Sequence, residues 1–213
     1  MMIAPFAPRC GILVALLLAI VFSAPVAAGV TVYSNLDAFQ GQTVNSALEL
    51  WDDVAIDGGG VLDSVTFHAF NLGSTDSGFT AFINIAFFDT LNNRPGGTSL
   101  AFLTVDMSTS SFAPGLTPAI TVGGLDSLAV DLDENVRLAV GITFPSQPSW
   151  GIPLFDPPSV GSSDDSYWLG FNPSPQTVSG AVSSFGLGIN VVPEPATLAA
   201  MLLATPLLLR RRR

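Results

Sequence analysis

From residue 29 to about residue 190 the chain is a succession of short apolar runs, one roughly every 10 to 15 residues, each closed by Gly, Pro, Asn, Asp or Ser. None sustains the 3.6-residue period that a helix of roughly 10–12 residues would show. Short runs at even spacing with turn residues between them build an antiparallel sandwich or barrel. Candidate strands fall at 30–33, 48–56, 61–70, 80–89, 99–106, 119–122, 127–132, 135–144, 150–155, 166–171 and 182–191. Alternation is cleanest at 135–144: Val136, Leu138, Val140, Ile142 and Phe144 form a core face, and Asn135, Arg137, Ala139, Gly141 and Thr143 a solvent face. Leu128, Val130 and Leu132 stand in the same way against Asp131 and Asp133. In 80–89, Ala81, Ile83, Ile85 and Phe87 oppose Phe82, Asn84, Ala86 and Phe88, so both faces are apolar and the strand is expected in the middle of a sheet. About 160 residues can bury about 70% of their unfolded surface, enough for one core without cross-links. The expected fold is all-β, an antiparallel β-sandwich over 29–190, with a jelly roll the first choice of topology and an immunoglobulin-like one the second.

The two ends read as addresses. Residues 1–28 have the form of a secretory signal peptide: Arg9, then the apolar run GILVALLLAIVF from Gly11 to Phe22, then Ser-Ala-Pro-Val-Ala-Ala ending at Ala28. Twelve residues of helix reach about 18 Å, short of a hydrocarbon core of about 30 Å. Cys10, the only cysteine, precedes that run and would leave with it, which excludes thiol nucleophiles, disulfides and cysteine-bound zinc from the exported part. Residues 191–213 carry Pro193-Glu194-Pro195, an apolar stretch at 196–209, and Arg210, Arg211, Arg212 and Arg213. As helix that stretch is about 21 Å long, a short span. The arginines would hold its end on the cytoplasmic side. The sandwich is thus expected between an N-terminal signal helix and a C-terminal hydrophobic helix.

The segment from Val192 to Arg213 resembles the PEP-CTERM sorting signal of exported bacterial proteins, a segment also labelled an ice-binding-protein C-terminal domain. Tripeptide, apolar run and basic end occur in order; Thr205-Pro206 departs from the usual Gly, Ala and Leu. The resemblance implies export by the secretion machinery and transient membrane anchoring through the C-terminus. It also implies processing near the tripeptide by an exosortase, a membrane-embedded transpeptidase-like enzyme, followed by a cell-surface or extracellular destination. The middle of the chain is similar to jelly-roll-like exported domains that carry this tail. The similarity lies in Trp51-Asp52-Asp53-Val54, Leu62-Asp63-Ser64-Val65, Phe87-Phe88-Asp89 with Pro95-Gly96-Gly97, and the block from Phe155 to Trp168. It implies fold and location, and no molecular activity.

Charge narrows the partners. Between Gly29 and Val192 there are 16 acids against Arg94 and Arg137, a net charge of −14, and the chain has no lysine. A basic nucleic-acid face is excluded. His68 is the sole histidine and reads as a half-exposed strand residue; its count excludes a histidine zinc site, and no nucleophile-elbow sequence accompanies it. The carboxylate groups Asp52/Asp53, Asp131/Asp133/Glu134 and Asp164/Asp165 lie in no hydrolase motif. Hard cations want such oxygens, and Asp156, Asp164 and Asp165 are the candidate ligands of a structural calcium ion, against a solvated acidic surface. Trp150 and the pair Tyr167–Trp168 bracket a proline-rich acidic loop and are the candidate stacking platform for an extracellular polysaccharide, against plain packing beneath that loop. Two functional classes result: a non-catalytic surface or matrix module for structure, adhesion or glycan contact, and, as the alternative, a secreted polysaccharide-active enzyme.

Overall fold

The computed structural model describes residues 29–45, 49–170, 174–178 and 184–193. Among them every paired strand is antiparallel, and the one helical element is a 3-10 turn, Leu125–Leu128. The expected terminal helices and most of the sorting segment lie outside the described residues. Three five-stranded sheets form. The first contains β1 (Val30–Ser34), β15 (Leu187–Val192), β4 (Gly60–Phe67) and β10 (Asp131–Leu132) in that order, with β9 (Ile120–Val122) also on β4. The second runs β13 (Tyr167–Leu169), β3 (Leu50–Ala55), β11 (Arg137–Thr143), β6 (Thr80–Asp89), β7 (Arg94–Asp106). The third runs β14 (Ser184–Phe185), β12 (Trp150–Phe155), β5 (Phe70–Asn71), β8 (Gly115–Leu116), with β2 (Phe39–Asn45) also on β12.

The apolar faces of the first two sheets meet in one core, which makes the domain a β-sandwich. Leu62, Val65, Phe67, Leu187, Ile189 and Val191 come from one side, and Leu50, Val54, Ile83, Ile85, Leu138, Val140 and Ile142 from the other. The third sheet follows from connectivity. Four of its strands lie in connections between the two larger sheets, β2 between β1 and β3, β5 between β4 and β6, β8 between β7 and β9 and β14 between β13 and β15, while β12 follows β11 on the way to β13 of the same sheet. These connections leave the same end of the sandwich, so their short strands pair into a cap whose Trp150, Ile152, Leu154 and Phe185 complete the core. The other end carries tight turns and both chain ends, with Val30 opposite Val191.

β6 lies between β11 and β7 with Ala81, Ile83 and Ile85 fully buried, in agreement with its two apolar faces. Register shifts between Ile85 and Phe88 then break the alternation, and Phe87 is 46% exposed. Two readings of the sequence need correction. The run 127–132 is not one strand: Gly124 (φ 73°) and Ala129 (φ 51°) are both left-handed and bound the 3-10 turn, which leaves Leu128 half-exposed before β10 begins. The second face of 135–144 is not solvent. Ala139 is fully buried in a second, smaller core with Trp51, Ala86, Phe88 and Trp168 on the outer face of the second sheet. Register explains it, because Gly141 and Trp168 both lie opposite Trp51, so the indole lies against a glycine.

Candidate functional site

Strand β3 alternates Leu50, Asp52 and Val54 toward the main core with Trp51 and Asp53 toward the outer one, and so buries one carboxyl on each side. Asp52 is fully buried. Its Oδ2 accepts the Phe185 N–H at 2.7 Å, while Oδ1 has no hydrogen-bond partner among the described residues. Burial, and next the charge of Asp53, push the Asp52 carboxyl well above the ordinary range. Burial likewise raises the Tyr33 hydroxyl from β1, with Asp52 adding to it. On the outer face Asp53, 1% exposed, accepts from Arg137 Nε at 2.8 Å and from a second guanidinium nitrogen. Burial raises its carboxyl even though Arg137 pulls the other way. The guanidinium also binds the Asp164 carboxylate and stands 4.6 Å from the centre of the Phe88 ring. The Asp164 amide completes the knot, donating to Asp53 Oδ1 at 3.2 Å.

This knot fixes the proline-rich loop. After β12 the chain crosses the seam between the two large sheets: Asp156 N–H donates to Ala38 O (2.9 Å) and Ser159 N–H to Ser34 O (2.8 Å). Ser162 and Ala55 then exchange both backbone bonds, at 3.0 and 2.7 Å. Gly161 makes the crossing possible. It sits at φ 73°, and a Cβ there would lie 2.5 Å from Ala55 O. Ser163 Oγ meets Ser184 Oγ at 2.7 Å, and Asp164 then reaches Arg137. The loop is a strap that ties β1 to β3, with the ion pairs as its buckle.

The residues singled out from sequence fall differently. Trp150 is 1% exposed; its Nε1 donates to Gly78 O at 3.1 Å, and its ring centre lies 4.6 Å from that of Phe79. Trp168 is equally buried, donating to Asn93 O at 3.1 Å and meeting Phe88 edge-on. Neither can stack on a sugar, and Tyr167 is half-buried near Phe185. The platform is corrected to packing, because the strands on either side of the strap carry those rings into the two cores. Asp156, Asp164 and Asp165 do not converge: among the described residues no three acidic, histidine or cysteine side chains gather as a metal needs, and Asp164 is drawn to Arg137. His68 is half-buried as expected but lies between β4 and β5, which split the expected strand 61–70, with Nδ1 2.9 Å from Thr117 O and its ring stacked on Phe155. Asp52 and Asp53 face opposite sides of one strand and so cannot flank one substrate bond. A shallow depression of about 240 Å³ lies beside the strap, lined by Ala55, Ile56, Asp57, Asn135, Gly161 and Ser162.

Sequence reasoning flagged Asp53 and Asp164 in separate pairs but missed Arg137 as their common partner. The available signal was charge: Arg137 is one of only two cations between residues 29 and 192. Of the sorting motif, Pro193 is described and buried directly after β15; Glu194, Pro195 and Arg210 to Arg213 lie outside the described residues. No protein-family model matches this chain, and no curated protein matches it.

Proposed function

We propose that the chain is an exported, non-catalytic protein of the cell surface or extracellular matrix, sorted by its C-terminal PEP-CTERM-like segment, with a jelly-roll sandwich as a structural module. The observation that carries the reading is the tail itself: Pro-Glu-Pro, an apolar stretch and four arginines, in order, beside an N-terminal leader-like run. The fold supports it in two ways. The strand orders β1-β15-β4-β10 and β3-β11-β6-β7 give each large sheet the alternation of early and late strands that a double Greek key produces. And with Val30 opposite Val191, the first and last described strands end side by side, which suits a domain carried between a leader and a C-terminal sorting segment.

A structural rather than glycan-binding role is favoured by the burial of Trp150 and Trp168 and by the use of Asp53 and Asp164 to hold the strap. Processing is by an exosortase-type enzyme acting near residues 193–195. The test replaces Arg210, Arg211, Arg212 and Arg213 together with glutamine in the full chain, expressed where such signals are processed. The expected result is loss of membrane retention and of C-terminal processing. Unchanged retention and an unchanged mature C-terminus overturn the sorting reading.

A further inference from the structure

Among the described residues strand β7 (Arg94–Asp106) ends the second sheet, pairs only with β6, and is the longest strand. Its pairing with β6 is regular from Ala101 to Asp106, opposite Ile85 to Thr80. Edge strands are a hazard that proteins usually blunt with lysine, proline, bulges or cover. This one carries no charge from Pro95 to Val105, and past its early irregular half it carries no proline. The other edges are managed. The β1 edge is bridged at Ser34 by Val160, β13 is paired at Tyr167 with Gln176, and β2 is broken by Gly41 at φ 76° and a register shift against β12. The strands β8, β9, β10 and β14 run two or three residues.

The side chains mark the same edge. Ala101, Leu103 and Val105 belong to the main core yet are 6, 8 and 6% exposed, whereas Ala81, Ile83 and Ile85 beside them are at 0%. On the outer face Phe102 is 58% exposed, its ring tilted against that of Phe82 with centres 5.4 Å apart. We propose that the β7 edge is the interface with a second copy of this chain, the two β7 strands pairing antiparallel across a two-fold axis. A two-fold centred on Leu103 sets Ala101 against Val105, Phe102 against Thr104, and Leu100 against Asp106 of the second copy. Core faces then meet core faces, and no acid faces an acid. That last point selects this edge: in a domain of net charge −14, two copies can approach only where the surface is free of carboxylates. The pairing satisfies the outward backbone groups of β7 and yields one continuous ten-stranded sheet, an isologous contact of the commonest kind.

The test uses the full chain in mild detergent. Sedimentation should show two copies per particle, and hydrogen exchange of the amides in 101–106 should slow as concentration rises. Phe102→Lys with Thr104→Lys, both at exposed positions, should sediment as a monomer throughout the range in which the parent pairs, with unchanged circular dichroism. A monomeric parent, a dimer that survives the double substitution, or β7 exchange that ignores concentration overturns the proposal. The exchange experiment decides on its own should the variant not fold. Slowed exchange only on adding a strand-forming peptide would assign the edge to a different partner and also overturn it.

Discussion

Gly141→Ala adds one methyl group and tests the second core more sharply than any larger change. A Cβ at residue 141 would stand 2.8 Å from Cδ2 and Cε2 of Trp51 and 2.9 Å from Cε3. Carbon atoms prefer about 3.5–4.0 Å, so the ring would have to retreat by roughly 0.7 Å or more. It has nowhere to go, being fully buried among Ala86, Phe88, Ala139 and Trp168. Overpacking of this kind costs about 1–3 kcal/mol. In a domain of this size each kcal/mol lowers the midpoint by about 2–4 °C, so a fall of about 6 °C is expected by thermal circular dichroism. Gly123→Ala is the control. Nothing lies within 4 Å of its added Cβ, and its midpoint should hold or rise slightly. Trp51→Phe should cost less in the Gly141→Ala background than alone, since the two side chains compete for one space. A Gly141→Ala midpoint at or above the parent's, with no coupling to Trp51, refutes the packing described.

Arg137→Met strands the Asp53 carboxylate without its counter-charge and should cost about 3–5 kcal/mol in denaturant unfolding. Asp164→Asn, at a side chain 61% exposed, should cost about 1 kcal/mol or less; equal losses would mean that the buckle is misassigned. Burial raises the carboxyls of Asp52, Asp53 and Glu49, so above the unfolded value of about 4 the native state holds more protons than the unfolded one. Stability therefore falls as pH rises through that window. The melting temperature should be higher near about pH 5 than near neutrality, and Asp52→Asn should narrow the gap; a midpoint that climbs toward neutral pH contradicts this. With Asp164 committed to Arg137, calcium and chelator should give the same midpoint; a calcium-dependent rise lost in Asp164→Asn would restore the metal.

Strand content was most legible where an apolar residue recurs at every second position, as at Leu138, Val140 and Ile142, which are core in the fold as in the pattern. What stayed hidden has physical reasons. A period of two says which residues share a face, not what covers it, so Ala139 and Gly141 read as solvent-facing until Trp51 and Trp168 arrive from other strands. The strand β2, Phe-Gln-Gly-Gln-Thr-Val-Asn, has little apolar content to signal it and exists because the cap sheet pairs its backbone. The tryptophans beside the strap looked available because sequence nearness to a loop carries no information on burial. Asp53 and Arg137 are 84 residues apart, and only the register of β3 against β11 brings their side chains together.

The proposed sorting requires both ends of the chain to be removed from a sandwich that stays outside, and the intact mass of the surface-associated protein tests that most directly. The full chain is 22.1 kDa. The expected product begins at Gly29, ends within the sorting segment near Pro193, and has lost Arg210 to Arg213 together with the apolar stretch before them. A surface protein of full-chain mass, with Met1 and Arg213 both present, would contradict the central claim.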